Sequence, residues 1–185
     1  MGMQPGRRSD AVRQASGLPH LSVLTDPLRV ARVQEITAGV ADSEVLRSLV
    51  RLASKVASSS CAQLSLLTDE QLATAVRCDD GGYSQATSAL ADSLCTVTVL
   101  SGDVLVAADA QAHPWLLDLP PVVSGAVRSY LGVPLLLADG TAVGALCVYG
   151  PEPREWTDRD VGLTCDVADV VGLELRRLVA QEERS

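Results

Sequence analysis

Long apolar runs, clustered positive charge, paired cysteines and histidines are all scarce in this sequence of 185 residues. The longest apolar stretch, Tyr130 to Ala138, is broken by Gly132 and Pro134 and falls short of the ~18 residues needed to span a bilayer. No membrane segment is therefore expected. The N-terminus carries arginines with no apolar segment behind them, unlike a secretory signal, so a cytoplasmic location is expected. Lysine occurs once, at Lys55, and the net charge is −8 from 15 basic and 23 acidic residues. Such a surface repels phosphate backbones, which excludes nucleic acid as a direct partner. The five cysteines, Cys61, Cys78, Cys95, Cys147 and Cys165, form no C-x-x-C pair, and only His20 and His113 could complete a zinc site. That spacing does not suit structural zinc, so no metal is expected. An odd cysteine count in a chain read as cytosolic argues against a disulfide framework, with Cys147 and Cys61 expected as buried thiols.

What remains is ample core material. Apolar residues make up 47% of the chain and charged residues 21%, and a chain near this length buries roughly 70% of its unfolded surface. Residues 1–24 are rich in Gly, Pro, Ser and Arg without periodicity and read as a disordered leader, with one folded unit over 25–182. Asp26-Pro27 starts a helix to Gly39, because an Asp cap followed by proline satisfies the first turn. Asp42 and Ser43 can cap a second helix, in which Leu46, Leu49, Val50, Ala53, Val56 and Ala57 form one apolar face. Two strands meeting at Asp69-Glu70 read as a hairpin that ends at Asp79–Gly82. The run 93–100 is ambiguous: Thr96, Val97, Thr98 and Val99 favour a strand, whereas Ser93 and Gly102 could cap and end a short helix. A strand is expected over 104–109, followed by a long connection over 110–127 holding His113 and Trp115, of the kind that often serves as a lid. Two strands flank Ala138-Asp139-Gly140, a strong hairpin signal. Thr157 caps a final helix with Asp158 and Asp160 in its first turn. Its apolar stripe exceeds what one sheet face needs, so it is either wedged between the sheet and the N-terminal helix or shared with a partner chain.

The successive strings DSLCTVTVLSGDVLVAADAQAHPW, SYLGVPLLLADGTAVGALCVYG and REWTDRDVGLTCDVADVVGLEL resemble the GAF family of small-molecule sensor domains over about residues 26–180. The resemblance implies an α+β fold: a central, mostly antiparallel six-stranded sheet with N- and C-terminal helices on one face and a pocket on the other. It also implies that 93–100 is helical. Family members that bind cyclic nucleotides need an Asn-Lys pair and a distant Phe, and this chain has no phenylalanine. Haem- and bilin-binding members need a histidine, and bilin binders also a cysteine, ahead of the Gly-Val-Pro strand. The stretch PPVVSGAVRSYLGVP holds neither. Members that reduce free methionine sulfoxide carry a Gly-Lys-Gly-Val-Cys context that is also absent here. No cofactor and no catalytic residue is therefore expected.

The resemblance points to a pocket lined by Cys95, Val99, Asp109, Trp115, Arg128, Tyr130, Leu131 and Cys147. Arg128 is the natural anchor for an anionic ligand, since its planar fork makes bidentate contacts, although an arginine paired with Asp is the plainer reading. Trp115 could stack on a ligand or plug the loop, and Asp109 could fix the loop through backbone N–H groups. The expected function is a non-enzymatic sensor that binds a small molecule and signals through helix-mediated dimer contacts to a separate partner, with no output domain expected after the last helix. Two alternatives are a ligand-free dimerisation or docking module and a thiol redox sensor using Cys95 or Cys78.

Overall fold

The structure is a computed structural model that describes residues 20–78 and 83–182. Of the leader expected over residues 1–24, residues 1–19 lie outside them, as does the turn Asp79–Gly82; residues 20–24 are ordered, with Leu24 buried. A turn at Leu21–Val23 leads into helix α1, Pro27–Asp42. Asp26 caps it by accepting the Arg29 N–H at 3.0 Å, with Pro27 in the first turn. The helix runs past Gly39, where it was expected to stop. Gly39 keeps a negative φ and lies under the Leu178 side chain, and Val40 extends the buried stripe of Val33 and Ile36. Ser43 then caps α2, Glu44–Val56, by accepting the Leu46 N–H.

Strands β1 (Cys61–Leu67) and β2 (Glu70–Cys78) form the expected hairpin, and β3 (Tyr83–Ala89) adds a strand that sequence reasoning did not assign. The run 94–101 is helix α3, against its local strand preference. Ser93 accepts the Thr96 N–H, and Gly102 ends the helix at φ 71°, a left-handed value that glycine adopts without strain. Every side chain from Leu94 to Leu100 is buried, and packing of this kind outweighs propensities of a few tenths of a kcal/mol per residue. Strand β4 (Leu105–Ala107), a short helical turn α4 (Pro120–Val123), β5 (Ser129–Leu136), β6 (Ala142–Gly150) and α5 (Asp158–Glu182) complete the order. Among the described residues no helix is long and apolar enough to cross a membrane.

The six strands run in the order β3-β2-β1-β6-β5-β4, with every neighbouring pair antiparallel. One face carries Ala62, Leu64, Leu66, Leu131, Val133, Leu146 and Val148 and packs against α1, α2 and α5 in a single core. The opposite face carries Tyr130, Ala145 and Cys147 beneath α3 and the 110–127 connection. Arg29 ties the helix layer to the sheet: Nε donates to the Ala142 carbonyl at 3.0 Å, and one terminal nitrogen donates to Leu24 and Leu67 carbonyls at 2.7 and 2.8 Å. Within α5, Val167, Ala168, Val171, Leu175, Leu178 and Val179 are all buried inside the chain, which accounts for most of its wide stripe. Val170 and Leu173 stay exposed.

Cysteine pairing departs from expectation. Cys61 and Cys78 are joined by a disulfide, while Cys95, Cys147 and Cys165 are free. The parity of the cysteine count had no bearing on this; the hairpin register sets Cys61 directly opposite Cys78. A cross-link that closes a loop of this size is worth about 3 kcal/mol through the unfolded chain's lost entropy.

Two glycines make the packing testable. A Cβ on Gly144 would lie 1.9 Å from the Ser65 carbonyl oxygen, so β1 and β6 could not keep their spacing, whereas a Cβ on Gly162 in α5 would meet nothing. Gly144→Ala should cost about 3 kcal/mol or more. Gly162→Ala should stabilise by up to ~1 kcal/mol. Urea denaturation of the two variants checks both signs.

Candidate functional site

Small or polar-tipped side chains on one sheet face leave space beneath α3. Tyr130 on β5, Cys147 and Tyr149 on β6, and Gln63 on β1 line a cavity of about 410 Å³ with Leu94 and Cys95 of α3. Pro120, Pro121, Ala126 and Val127 form a wall from the connection before β5, and Gln71, Ser88, Asp92 and Ser93 complete the lining. Ser93 Oγ donates to Gln71 Oε1 while capping α3, so one hydroxyl couples the helix to β2.

A hydrogen-bonded row crosses the cavity floor. Tyr149 donates to Gln63 Oε1 at 3.5 Å, and Gln63 Nε2 donates to Ser65 Oγ at 2.6 Å and to Cys95 Sγ at 3.9 Å. Cys95 and Cys147 hold their sulfurs 3.6 Å apart, and Tyr130 donates to Cys95 Sγ at 3.8 Å, with its hydroxyl 2.7 Å from Thr98 Oγ1. The S–H of Cys147 lowers the pKa of Cys95 despite its burial, and the same contact raises that of Cys147. Burial pushes the Tyr130 and Tyr149 phenols up, so both are neutral donors at ordinary pH. Tyr130 has room for its hydroxyl because Gly132 is next on that face: a Cβ there would lie 2.5 Å from both Tyr130 Oη and Thr98 Oγ1.

Of the eight residues expected to line a pocket, Cys95, Tyr130 and Cys147 do so. Leu131 lies on the opposite face in the helix-side core, because neighbouring residues on a strand point to opposite faces, so it cannot share the cavity with Tyr130. Val99 is buried in the pocket-side core next to the cavity without lining it. Arg128 grips Asp109 through two bonds, Nε to Oδ1 at 3.0 Å and a terminal nitrogen to Oδ2 at 2.7 Å, so that edge of its fork is taken, and it does not line the cavity. Asp109 Oδ1 also accepts the Gln111 N–H, which starts the turn Ala110–Ala112. Trp115 packs against the pocket-side core with its ring edge-on to His113, and its backbone N–H donates to His113 Nδ1 at 3.3 Å. It closes the loop outside the cavity lining. Sequence reasoning missed Gln63 and Tyr149, although each stands two residues from Ser65 or Cys147 and therefore on the same face. Among the described residues no group of three or more His, Cys, Asp or Glu side chains could hold a metal ion.

This arrangement defines an α+β domain with its core on one sheet face and a cavity on the other. The profile of the GAF domain family matches residues 11–175, and the chain belongs to that family. GAF domains are typical of signalling sensors, bind small molecules and often dimerise. The chain is 36% identical over 89 residues to the cyclic di-GMP phosphodiesterase PA2567 of Pseudomonas aeruginosa, a stretch that is 47% of this chain and 15% of that protein. In structure it is similar to the GAF domain of an Acinetobacter phosphoenolpyruvate-protein phosphotransferase, with a TM-score of 0.58, 15% identity and coverage of 86% of this chain and 97% of that one. A free methionine-R-sulfoxide reductase from Neisseria meningitidis superposes with a TM-score of 0.57 at 20% identity, covering 80% and 88% of the two chains. The PixJ GAF domain of Thermosynechococcus elongatus in its blue-light absorbing form does so at 0.58 and 17%, covering 83% and 92%. At such identities the likeness is one of fold.

The Arg128 grip holds the Asp109 carboxyl below the usual carboxylate range. Its stabilising contribution is complete above the unfolded value of ~3.9 and is lost as pH falls through the lower folded value. Arg128→Met should therefore lose stability relative to wild type at neutral pH, and the gap should narrow as pH drops through that window. Melting temperatures of both proteins from neutral to strongly acidic pH check this.

Proposed function

We propose that residues 25–182 act as a single regulatory sensor domain whose cavity binds a small uncharged molecule. The reading further holds that α1, α2 and α5 pass the ligand state to a second copy of the chain and on to a separate signalling protein. The observation that carries it is the cavity: at about 410 Å³ it falls within the range of small-molecule sites, mostly apolar with a few polar groups to fix orientation. No arginine, lysine or histidine is among its described lining residues, and Asp92 is its one acidic group, which favours a neutral ligand over an anionic one. In this reading Tyr130, Cys95 and Cys147 contact the ligand, Val99 packs behind the wall, Leu131 belongs to the helix-side core, and Asp109, Arg128 and Trp115 hold the loop beside the cavity. The role is regulatory rather than catalytic. The likeness to a methionine sulfoxide reductase, at 20% identity, is one of fold and carries no reaction over.

A thermal-shift screen of small neutral metabolites tests the ligand. At 100 times its Kd a binder should stabilise the chain by about 2.7 kcal/mol. Ala126→Trp, which places bulk in the cavity wall, should erase the shift while leaving the unliganded chain folded. A screen without hits, joined to a crystal structure in which side chains fill the cavity, would favour the docking module instead.

Dimerisation draws on a second observation. Val45 and Leu52 on α2 and Val170 and Leu173 on α5 expose 52%, 43%, 46% and 61% of their surface on the helix layer, and apolar exposure gathered on one layer marks an interface. Sedimentation should find a dimer at tens of micromolar, on the order of the weaker biological interfaces. Val170→Glu should return it to monomer, and a wild-type monomer would count against the relay.

A further inference from the structure

We propose that Cys95 and Cys147 form a reactive dithiol site in the cavity floor, which a small hydroperoxide converts to a disulfide. The two residues are 52 positions apart in sequence, on α3 and β6, yet their sulfurs lie 3.6 Å apart, at contact distance. Both line the cavity, so a molecule that enters it meets both sulfurs. The proposal goes beyond the ligand reading, for it needs only access to these two atoms.

The surroundings assign different parts to the two sulfurs. Cys95 Sγ accepts from the Tyr130 hydroxyl and Gln63 Nε2 and touches the Cys147 thiol, which donates to it once Cys95 is a thiolate. Hydrogen bonds to the charged form favour it, and Cys95 also lies in the first turn of α3, near the positive end of the helix. The thiolate is the nucleophilic form, so Cys95 attacks and Cys147 resolves. Cys95 and Cys147 are 2% and 1% exposed, and no cation is among the described lining residues, so the site favours a small neutral oxidant over a bulky anionic disulfide.

Each step balances. The Cys95 thiolate attacks the terminal oxygen of the hydroperoxide; an S–O bond forms, the O–O bond breaks, and the alkoxide or hydroxide leaves with a proton as alcohol or water. Cys95 is then a sulfenic acid. Cys147 gives up its thiol proton and attacks the Cys95 sulfur; the S–S bond forms, the S–O bond breaks, and hydroxide leaves with that proton as water. Two thiols have lost two electrons to the peroxide. A dithiol reductant restores them by exchange.

The test treats the folded chain with hydrogen peroxide, blocks the remaining thiols, and maps disulfide-linked peptides without reduction. A Cys95–Cys147 link is expected, with Cys165 still a thiol, since burial and neighbouring Asp166, Asp169 and Asp103 raise its pKa. In Cys147→Ser, a dimedone probe should trap sulfenic acid on Cys95. In Cys95→Ser, peroxide consumption at Cys147 should fall at least ~10-fold, because its thiolate is disfavoured. Three results would overturn the proposal: Cys95 and Cys147 surviving as thiols, links from either one to Cys61 or Cys78, or a link that forms as fast in the urea-unfolded chain. The wild-type map decides the matter even if a variant fails to fold.

Discussion

Along β6, Leu146 and Val148 point into the helix layer while Ala145, Cys147 and Tyr149 point the other way, and β1 and β5 repeat the pattern in register. On the helix side the residues are large aliphatics that meet Val33, Ile36, Val50 and Leu175 in a closed core. On the other side they are small, or carry a polar tip on an apolar body. Helix α3 cannot fill the space above such a surface, and the cavity is what remains. A one-residue slip of β6 would exchange the two sets, burying Tyr149 against helices and leaving Leu146 under α3. Gly144, with the Ser65 carbonyl against its α-carbon, holds β6 close to β1 and allows no side chain there.

Several polar groups on the cavity side bond to one another, while the buried Thr96 Oγ1 of α3 has no partner among the described residues. Tyr149, Gln63, Ser65, Cys95, Cys147, Tyr130 and Thr98 form a connected row. At the margin Arg128 and Asp109 neutralise each other and fix the turn after β4, while Asp92 lines the cavity itself. A cavity built this way discriminates by shape and hydrogen bonding more than by charge. Its most reactive feature is the contact between two thiols, one of them surrounded by donors.

Much of the fold was legible because the signals are local. Asp26-Pro27 and Ser43 act as caps through atoms within three residues, and Asp139-Gly140 forms its turn, with Gly140 at φ 84°, between strands it joins directly. The helix over 94–101 was not legible from its own residues, since four β-formers in a row favour a strand; the family resemblance supplied it. At the site, Cys95, Tyr130 and Cys147 line the cavity and Leu131 does not, and alternation in β5 alone separates it from Tyr130. For Arg128 its own chemistry leaves both the anion anchor and the plainer Asp-paired reading open, and only the fold brings in the partner, Asp109, 19 positions away.

Composition and pattern determined that the chain folds around an apolar core, where its helices are capped, and which residues can share a strand face, because each depends on chemistry within a few residues. Only the tertiary structure decided which cysteines meet. Cys61 finds Cys78 through hairpin register, and Cys95 finds Cys147 through the seat of α3 on β6. The first contact depends on the register of one hairpin and the second joins residues 52 positions apart, so neither follows from the cysteine count, and the second is fixed only by how α3 packs on the sheet.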